Sequence, residues 1–493
     1  MAKLFVFAIG GTGSRVVKAL AMLMASGVKI ENTHTIIPII IDPDSANGDL
    51  TRTEEILRLY KNIQKKSASN KSIFFKTPLN SLDEVRESGF VSDHFRYEIE
   101  GVKDNLFKDF LGFSELDKSN KALASILFSK DNLEADMDMG FKGNPNIGSV
   151  VLNKFRDSDF FHSFAQSFGE EDRVFIISSI FGGTGAAGFP IILKNIRGAQ
   201  PSIPNQMSLQ NAKIGAITVM PYFNVNDTGK KTVIDSNTFI SKTKAALSYY
   251  ARNVSGNNSL NCLYYIGDQF TDNRVEGADG AAEQKNNAHF IELASALAIV
   301  DFMNKPDDEL SISNGKVNSP QYFEYGLKNA TDKIEFKDIG NSVHDAIARP
   351  LTQYTLFEIF FKQYLDETNK QIYATNGNNK LQRNLLDKRF AEDLKKFNQH
   401  YEDWLTEMSG SSVAFTAINK DVSRRDILNL VTGSPEKTSR FNPLEKRGLE
   451  VFIEELARTD EREHFDALGD SNKKLLATFA NASEQVIAKK ISL

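Results

Sequence analysis

Residues 3–26, KLFVFAIGGTGSRVVKALAMLMAS, contain the transition that decides the fold. The apolar run at 3–9 predicts a buried strand, the glycines at 10, 11 and 13 predict a turn, and the apolar spacing over 14–26 predicts a helix. A strand, a glycine-rich turn and a helix in this order are typical of the opening of a doubly wound α/β sheet.

Four more apolar runs extend this pattern along the chain. They predict buried strands at 36–41, 173–180, 213–220 and 261–266, with helical segments between them. Strands that alternate with helices favour a mostly parallel sheet covered by helices on both faces. A long helix is predicted at 287–303, and it has so little polar surface that we expect it to be buried.

The C-terminal part of the chain departs from this alternation. Residues 320–338 contain two alternating runs, QYFEYGL and KIEFKDI, which predict a β-hairpin. After Gly340 the chain becomes charged and helical, with amphipathic stretches at 381–407 and 443–458.

The composition excludes some classes of protein. The 493 residues include 59 Lys plus Arg and 64 Asp plus Glu, a net charge of −5, which speaks against a broad nucleic-acid-binding surface. Cys262 is the one cysteine, so the chain forms no internal disulfide, and we expect this side chain to be small and buried. No uninterrupted apolar stretch reaches the ~18 residues of a membrane helix, so we expect a soluble cytoplasmic protein.

The first motif with chemical meaning is AIGGTGSR at 8–15. Glycines let a backbone approach an anion closely, and the helix that follows directs its free amides and positive dipole end at that anion. Taken alone, the motif fits a phosphate site, a tight turn, or a dinucleotide fingerprint without its third glycine.

The second motif is IFGGTGAAGFP at 180–190, which again follows a buried strand. Two Gly-Gly-Thr-Gly turns at two strand ends are unusual in one sheet, and neither has the lysine of a Walker P-loop. We therefore expect phosphates to be held chiefly by backbone amides.

These motifs resemble segments of tubulin and FtsZ, and the whole looks closest to the divergent bacterial tubulin-like proteins. GGTGAAGFP at 182–190 is similar to the family's phosphate-wrapping loop, and GGTGS at 10–14 is similar to its opening loop, where asparagine is usual at the position of Ser14. Three further segments come in the family's order: IDPDSAN at 41–47, GNPNIG at 143–148 and ITVMPYF at 217–223.

The resemblance implies a GTPase-like nucleotide-binding domain over 1–285, a central connecting helix over 286–304, and a second α+β, largely helical region over 305–493. It implies GTP or GDP with Mg²⁺ as the ligand, with Asp44 holding the metal through water. The residues that would contact the phosphates are Gly10, Gly11, Thr12, Gly13, Ser14, Gly143, Asn144, Pro145, Gly182, Gly183, Thr184 and Gly185.

The resemblance is less complete for the base and for hydrolysis. The family places an aromatic residue and, four residues later, Asp or Asn at the start of the central helix, whereas Phe290 is followed by Ala294. Asn286, Asn287 and Phe290 are the candidates for contact with base and ribose. Glu335 and Asp338 are the candidate catalytic carboxylates, acting on the nucleotide of a neighbouring subunit, and NKPDDE at 304–309 is a second stretch that could serve.

Three functions follow as hypotheses. The first is a GTP-binding protein that assembles head to tail into oligomers or filaments and hydrolyses GTP at the subunit interface, with a protein partner at the helical C-terminal region. The second is a non-hydrolysing scaffold or switch gated by nucleotide, for example in a defence or stress system. The third is an NAD(P)-binding enzyme in which Asp42 contacts the ribose hydroxyls.

Overall fold

The structure is a computed structural model. It describes residues 2–44, 46–86, 92–137, 141, 143–222, 224–225, 236–267, 274–275, 285–326, 333–362, 386–411, 413–434, 448–463 and 465–493.

The strands are numbered along the chain. They are β1 (Ala2–Ile9), β2 (Thr33–Ile41), β3 (Arg96–Tyr97), β4 (Arg173–Ser179), β5 (Lys213–Val219), β6 (Asn224–Val225), β7 (Cys262–Gly267), β8 (Arg274–Val275), β9 (Ile312–Ser313), β10 (Lys316–Val317), β11 (Gln321–Gly326), β12 (Lys333–Ile334) and β13 (Ala414–Phe415).

The α-helices are numbered in the same way. They are α1 (Gly10–Ser26), α2 (Gly48–Ser67), α3 (Leu82–Arg86), α4 (Phe107–Phe110), α5 (Lys118–Leu127), α6 (Lys130–Leu133), α7 (Pro145–Leu152), α8 (Asp159–Ser167), α9 (Gly183–Arg197), α10 (Gln206–Gln210), α11 (Ser236–Asn253), α12 (Phe290–Asn304), α13 (Asn341–Phe360), α14 (Lys388–Ser409), α15 (Leu449–Glu463) and α16 (Ser471–Lys490).

A seven-stranded sheet forms the centre of the molecule, in the order β11-β7-β5-β4-β1-β2-β3. Every neighbouring pair in it is parallel, and β1, β2, β4 and β5 are almost entirely buried. These strands are buried because helices cover both faces, which is the usual reason for long apolar runs in parallel sheets. The predicted doubly wound α/β fold is confirmed at this level.

The order of the strands reverses between β1 and β4. The chain runs from β1 outward to β2 and β3, and then returns to place β4 on the other side of β1. Helix α1 packs with α2, α12 and α13, whereas α9 packs with α7. The loops that follow β1 and β4 therefore lie side by side at the switch point, the place where open α/β sheets bind their ligands.

The predicted hairpin over 320–338 is wrong. Strand β11 pairs in parallel with β7 and completes one edge of the large sheet, and β12 pairs in parallel with β13 instead. Both runs alternate as predicted, but alternation shows only that a strand has two different faces, not which strand lies beside it.

Helix α12 is the predicted apolar connecting helix, and it is buried along most of its length. His289 and Glu292 form a reciprocal cap at its start. At its end, the buried Arg173 donates to the carbonyl oxygens of Phe302, Met303 and Lys305 at 2.9, 3.2 and 3.0 Å. These bonds satisfy carbonyls that a helix end leaves without intrahelical partners.

The helices after residue 340 form a layer against the face of the sheet that carries α1 and α2. Helix α13 packs on α1, and α14 packs on α2. Tyr354 of α13 lies at the centre of this layer, with its ring 5.2 Å from Phe74 and 4.8 Å from Tyr401. We call α13 to α16 the C-terminal helical layer.

Two smaller expectations concern Cys262 and the membrane. Cys262 is fully buried in β7, as predicted, and burial raises the pKa of its thiol to about 12. In the part of the chain that the structure describes, no helix has the length and apolarity needed to cross a membrane.

Candidate functional site

Three loops from distant parts of the sequence meet at the switch point. A Cβ atom placed on Gly10 would lie 3.6 Å from Cβ of Thr184 and 3.7 Å from N of Gly185. A Cβ atom placed on Gly183 would lie 3.2 Å from N of Gly143 and 3.0 Å from N of Asn144. The loops at 10–14, 143–145 and 182–185 therefore form one cluster, as the sequence motifs require of a shared site.

Glycine is needed here for two different reasons. Gly10 and Gly143 have φ angles of 74° and 66°, in the left-handed region that side chains disfavour. At Gly13 and Gly185 the reason is packing, because a Cβ atom would lie 2.6 Å from the carbonyl carbon of Ala8 or 2.7 Å from the carbonyl oxygen of Ser179. Both helices start directly against the strand that precedes them.

Three helices begin at this cluster. Helix α1 starts at Gly10 and α9 at Gly183, without a side-chain cap or an acidic residue in the first turn of either. Helix α7 starts at Pro145 and is capped by Asn144, whose Oδ1 accepts from N of Asn146. Three positive dipole ends thus meet at this cluster, and the first amides of α1 and α9 have no side-chain cap, which favours an anion.

The predicted hydroxyl groups lie in the same cluster. Thr12 and Thr184 are buried in the first turns of α1 and α9, and Oγ of Ser14 is buried without a hydrogen-bond partner. The structure adds Lys242 of α11, which the sequence did not single out: its Nζ donates to the carbonyl oxygen of Gly143 at 2.6 Å. A lysine side chain therefore lies beside the loop at 143–145.

The loop after β2 lies on the side of Gly11. A Cβ atom on Gly11 would lie 3.9 Å from Nδ2 of Asn47, the residue that caps α2. Asp44 is buried, and its N donates to Oδ1 of Asp42 at 3.1 Å. Burial and the charge of Asp44 raise the pKa of Asp42 to about 7, although the bond from N of Asp44 and the charge of Arg96 oppose this shift.

Asp44 as a holder of Mg²⁺ through water remains a prediction. Among the residues that the structure describes, no group of three His, Cys, Asp or Glu side chains is arranged to hold a metal ion.

A buried charged cluster, which the sequence did not predict, lies behind the first loop. Arg15 donates to Glu292 at 2.6 Å, to Asp49 at 3.1 Å and to the hydroxyl of Tyr222 at 2.7 Å. Burial opposes the charge of Arg15, but Tyr222, Glu292 and Asp49 outweigh burial and raise its pKa above the ordinary value. The available signals were charged residues in otherwise apolar helices, at Arg15 of α1 and Glu292 of α12.

The residues predicted to contact base and ribose lie in different surroundings. Asn286 donates its N and its Nδ2 to Asp49 at 3.1 and 2.8 Å, and Asn287 is exposed. Phe290 is buried, with its ring stacked 5.8 Å from Phe415. The structure thus places Asn286 beside the start of α2, and Phe290 among aromatic side chains of the C-terminal part.

His289, directly before α12, has an unusual environment. Its Nδ1 accepts from N of Ile291, while its buried Nε2 has no hydrogen-bond partner. Burial lowers the pKa of His289 to about 4; the charge of Glu292 opposes this shift and the charge of Arg15 adds to it. The imidazole is therefore neutral at physiological pH, with its remaining proton on the unpartnered Nε2.

The predicted catalytic carboxylates lie outside the large sheet. Glu335 and Asp338 belong to the turn after β12, in which N of Glu335 donates to Asp338 at 2.9 Å. Nζ of Lys337 lies 2.7 Å from Oε2 of Glu335. This turn is not part of the loop cluster at the switch point. A catalytic role of Glu335 and Asp338 at the nucleotide of a neighbouring subunit stays a prediction.

Comparisons with known proteins add little to this geometry. No family model and no curated protein matches the chain. Among solved structures, the chain is similar to CetZ from Methanosaeta thermophila strain DSM 6194, with 13% sequence identity and a TM-score of 0.23. The match covers 62% of this chain and 52% of the CetZ chain, so it spans about half the length of that protein.

Proposed function

We propose that this protein binds a guanine nucleotide, GTP or GDP with Mg²⁺, at the three converging loops and assembles head to tail with further copies of itself. The observation that carries the proposal is the meeting of the loops at 10–14, 143–145 and 182–185 at the switch point of a parallel sheet.

The chemistry of the cluster fits a polyphosphate. Helix N-termini supply amide donors, Thr12, Ser14 and Thr184 supply hydroxyl groups, and Lys242 supplies a positive charge beside Gly143. Because there is no P-loop lysine, backbone amides from the three loops would donate hydrogen bonds to the phosphates, and Mg²⁺ would neutralise part of their negative charge.

Guanine and self-assembly rest on the resemblance to tubulin and FtsZ. Five short segments come in the family's order along the chain, two of them Gly-Gly-Thr-Gly loops. In a head-to-tail contact, Glu335 and Asp338 of one copy would face the terminal phosphate of the next and orient the attacking water. Such a contact is heterologous, so it continues into an open assembly unless its rotation closes a ring.

Nucleotide binding is tested with hydroxyl-deletion variants. The nucleotide released from purified protein is identified by mass spectrometry, and GTP affinity is measured by calorimetry for the wild type, Thr184→Val and the control Thr478→Val. Thr478 is a buried threonine of α16 whose hydroxyl has no hydrogen-bond partner. We expect guanine nucleotide, about tenfold weaker binding for Thr184→Val, as for a lost bond to a charged group, and no change for the control.

Other results would redirect the assignment. NAD(P) in place of a guanine nucleotide would support the dinucleotide-binding enzyme, in which the loop at 182–185 has no role. Absence of any bound nucleotide, together with no measurable GTP affinity, would refute the proposed function.

Assembly and hydrolysis are tested separately. We expect GTP, and not GDP, to promote sedimentable assemblies, with phosphate release that rises steeply with protein concentration. Asp338→Asn should lower phosphate release and leave GTP affinity unchanged, since Asp338 belongs to the neighbouring copy's site. GTP binding and assembly without phosphate release would identify a nucleotide-gated scaffold, and a monomer under both nucleotides would refute self-assembly.

A further inference from the structure

Glu407, near the end of α14, connects the C-terminal helical layer to the start of α12. Its Oε1 accepts from NH1 of Arg52 at 2.5 Å, and its Oε2 accepts from N of Ala288 at 2.7 Å. Nζ of Lys18, which is buried and has no hydrogen-bond partner, lies 3.6 Å from the same Oε2. One carboxylate thus faces two cations and one backbone amide.

Arg52 extends this contact to the neighbouring residue pair. Its NH2 donates to the carbonyl oxygen of Asn286 at 2.6 Å and lies 3.2 Å from Oδ1 of Asp49. Asp49 in turn accepts from N and Nδ2 of Asn286. Asp49, Arg52 and Glu407 therefore hold the segment 286–288 through its backbone at both ends. We call these three residues the 286–288 clamp.

The clamped segment lies on one side of the phosphate loops. Asp49 is in the first turn of α2, and Asn47, which caps that helix, faces Gly11. Moving away from Gly11, the chain of contacts runs through α2 to Asn286 and then to Glu407. Three contacts shorter than 4 Å connect the loops to the segment: a Cβ on Gly11 to Asn47, Asn47 to Asp49, and Asp49 to Asn286. A nucleoside that extends from the loops to this side would therefore meet segment 286–288.

We propose that Glu407 is a positioning residue for the nucleoside part of the ligand: it fixes segment 286–288 through Ala288 and Arg52, so that helix α14 belongs to the nucleotide site. The inference rests on the proposed nucleotide binding and names a part of that site. It also assigns a role in ligand binding to the C-terminal helical layer, although this layer is far from the glycine loops along the sequence.

Glu407 can fix segment 286–288 because the hydrogen bonds of the clamp involve charged side chains. Hydrogen bonds between charged groups in a poorly solvated place are strong and directional, so the clamp keeps 286–288 in one conformation. Glu407→Gln removes the negative charge that faces Lys18 and Arg52. It also leaves one acceptor oxygen in place of two, so the side chain can no longer accept from both Arg52 and N of Ala288. The phosphate loops receive no bond from Glu407, so their geometry should persist.

The test separates the nucleoside from the phosphates. Affinities for Mg²⁺-GTP and for inorganic Mg²⁺-tripolyphosphate are measured for the wild type, Glu407→Gln and the control Glu402→Gln. Glu402 lies on the same helix and pairs with Lys362 away from the clamp. We expect Glu407→Gln to weaken GTP binding about tenfold or more and to leave tripolyphosphate binding within about twofold, with no change in either affinity for the control.

Several outcomes would overturn the inference. Equal weakening of both ligands would show a general structural role, and unchanged GTP affinity would show no role. If Glu407→Gln does not fold, Arg52→Lys is the second variant. Lysine keeps the positive charge but lacks the guanidinium group that donates to both Glu407 and the carbonyl oxygen of Asn286. This variant must then weaken GTP binding and leave tripolyphosphate binding unchanged. Wild-type protein that binds tripolyphosphate as tightly as GTP would refute the inference alone, whereas binding of neither ligand would refute the proposed function.

Discussion

Nε of Arg15 and Oε1 of Glu292 are 2.6 Å apart, and both side chains are almost completely buried. Arg15 directly follows the loop at 10–14, and Glu292 is in the first turn of α12. The pair thus joins the N-terminal parts of α1 and α12. Residues 277 positions apart along the chain are held by one charged contact.

We expect Arg15→Met to lower the free energy of unfolding by about 3–5 kcal/mol, because the variant leaves Glu292 and Asp49 buried with less compensation. Urea unfolding monitored by circular dichroism measures the loss. The matched control is Arg458→Met, which removes an exposed partner of Glu454 one turn away and should cost less than about 1 kcal/mol. Equal losses for the two variants would contradict the role given to burial.

Two neighbouring glycines should respond differently to alanine. In Gly13→Ala the new methyl group would lie 2.6 Å from the backbone of Ala8, so we expect a loss of stability of at least about 2 kcal/mol. In Gly11→Ala its nearest neighbour would be 3.6 Å away, so the change should be under about 1 kcal/mol. Thermal and urea unfolding of both variants provide the comparison, and similar stabilities would contradict the close contact of α1 with β1.

Glu358, buried in α13, should make stability depend on pH. Burial and the charge of Glu402 raise the pKa of Glu358 to about 8, against the opposing charges of Lys362 and Lys420. The folded-state pKa is above the unfolded one, so the contribution of Glu358 to stability is fully present below pH ~4.5 and is lost as pH rises through about 8. We expect the free energy of unfolding of Glu358→Gln to increase relative to that of the wild type by up to about 1.4 kcal/mol per pH unit in this window.

Urea unfolding at pH 5, 6.5 and 8 measures this difference between Glu358→Gln and the wild type. The exposed Glu392 of α14 provides the control, since Glu392→Gln should follow the wild type at every pH. A difference between Glu358→Gln and the wild type that does not grow with pH would show that the buried carboxyl group is not the cause.

Arg173 should stabilise the end of α12. We expect Arg173→Met to cost about 2–4 kcal/mol, because it leaves carbonyl oxygens of Phe302, Met303 and Lys305 without their donor. Lys213→Met is the control: Lys213 contacts the largely exposed Asp307 and should cost less than about 1 kcal/mol. Hydrogen exchange over 299–304 should increase in the first variant and remain unchanged in the control.

The large sheet and the three loops could be predicted because each depends on a local pattern. Apolar runs reveal buried strands, and a glycine turn before a helix reveals a strand end. The Arg15 cluster could not be predicted, because its members are scattered along the chain and only the fold brings them together. The predicted hairpin was wrong for a related reason. The alternation of β11 is local, whereas its pairing with β7 depends on the sheet edge that remains open after β7 joins β5.

The outer position of β11 also limits how the chain can be divided. A fragment that ends at Asn304 would contain six strands of the large sheet and lack the seventh. Strand β7, with its sequence CLYYIG, would then expose unpaired amide and carbonyl groups along an apolar edge. Such edges recruit other strands and cause aggregation. Recombinant production of the part that contains the large sheet should therefore extend at least to Gly326.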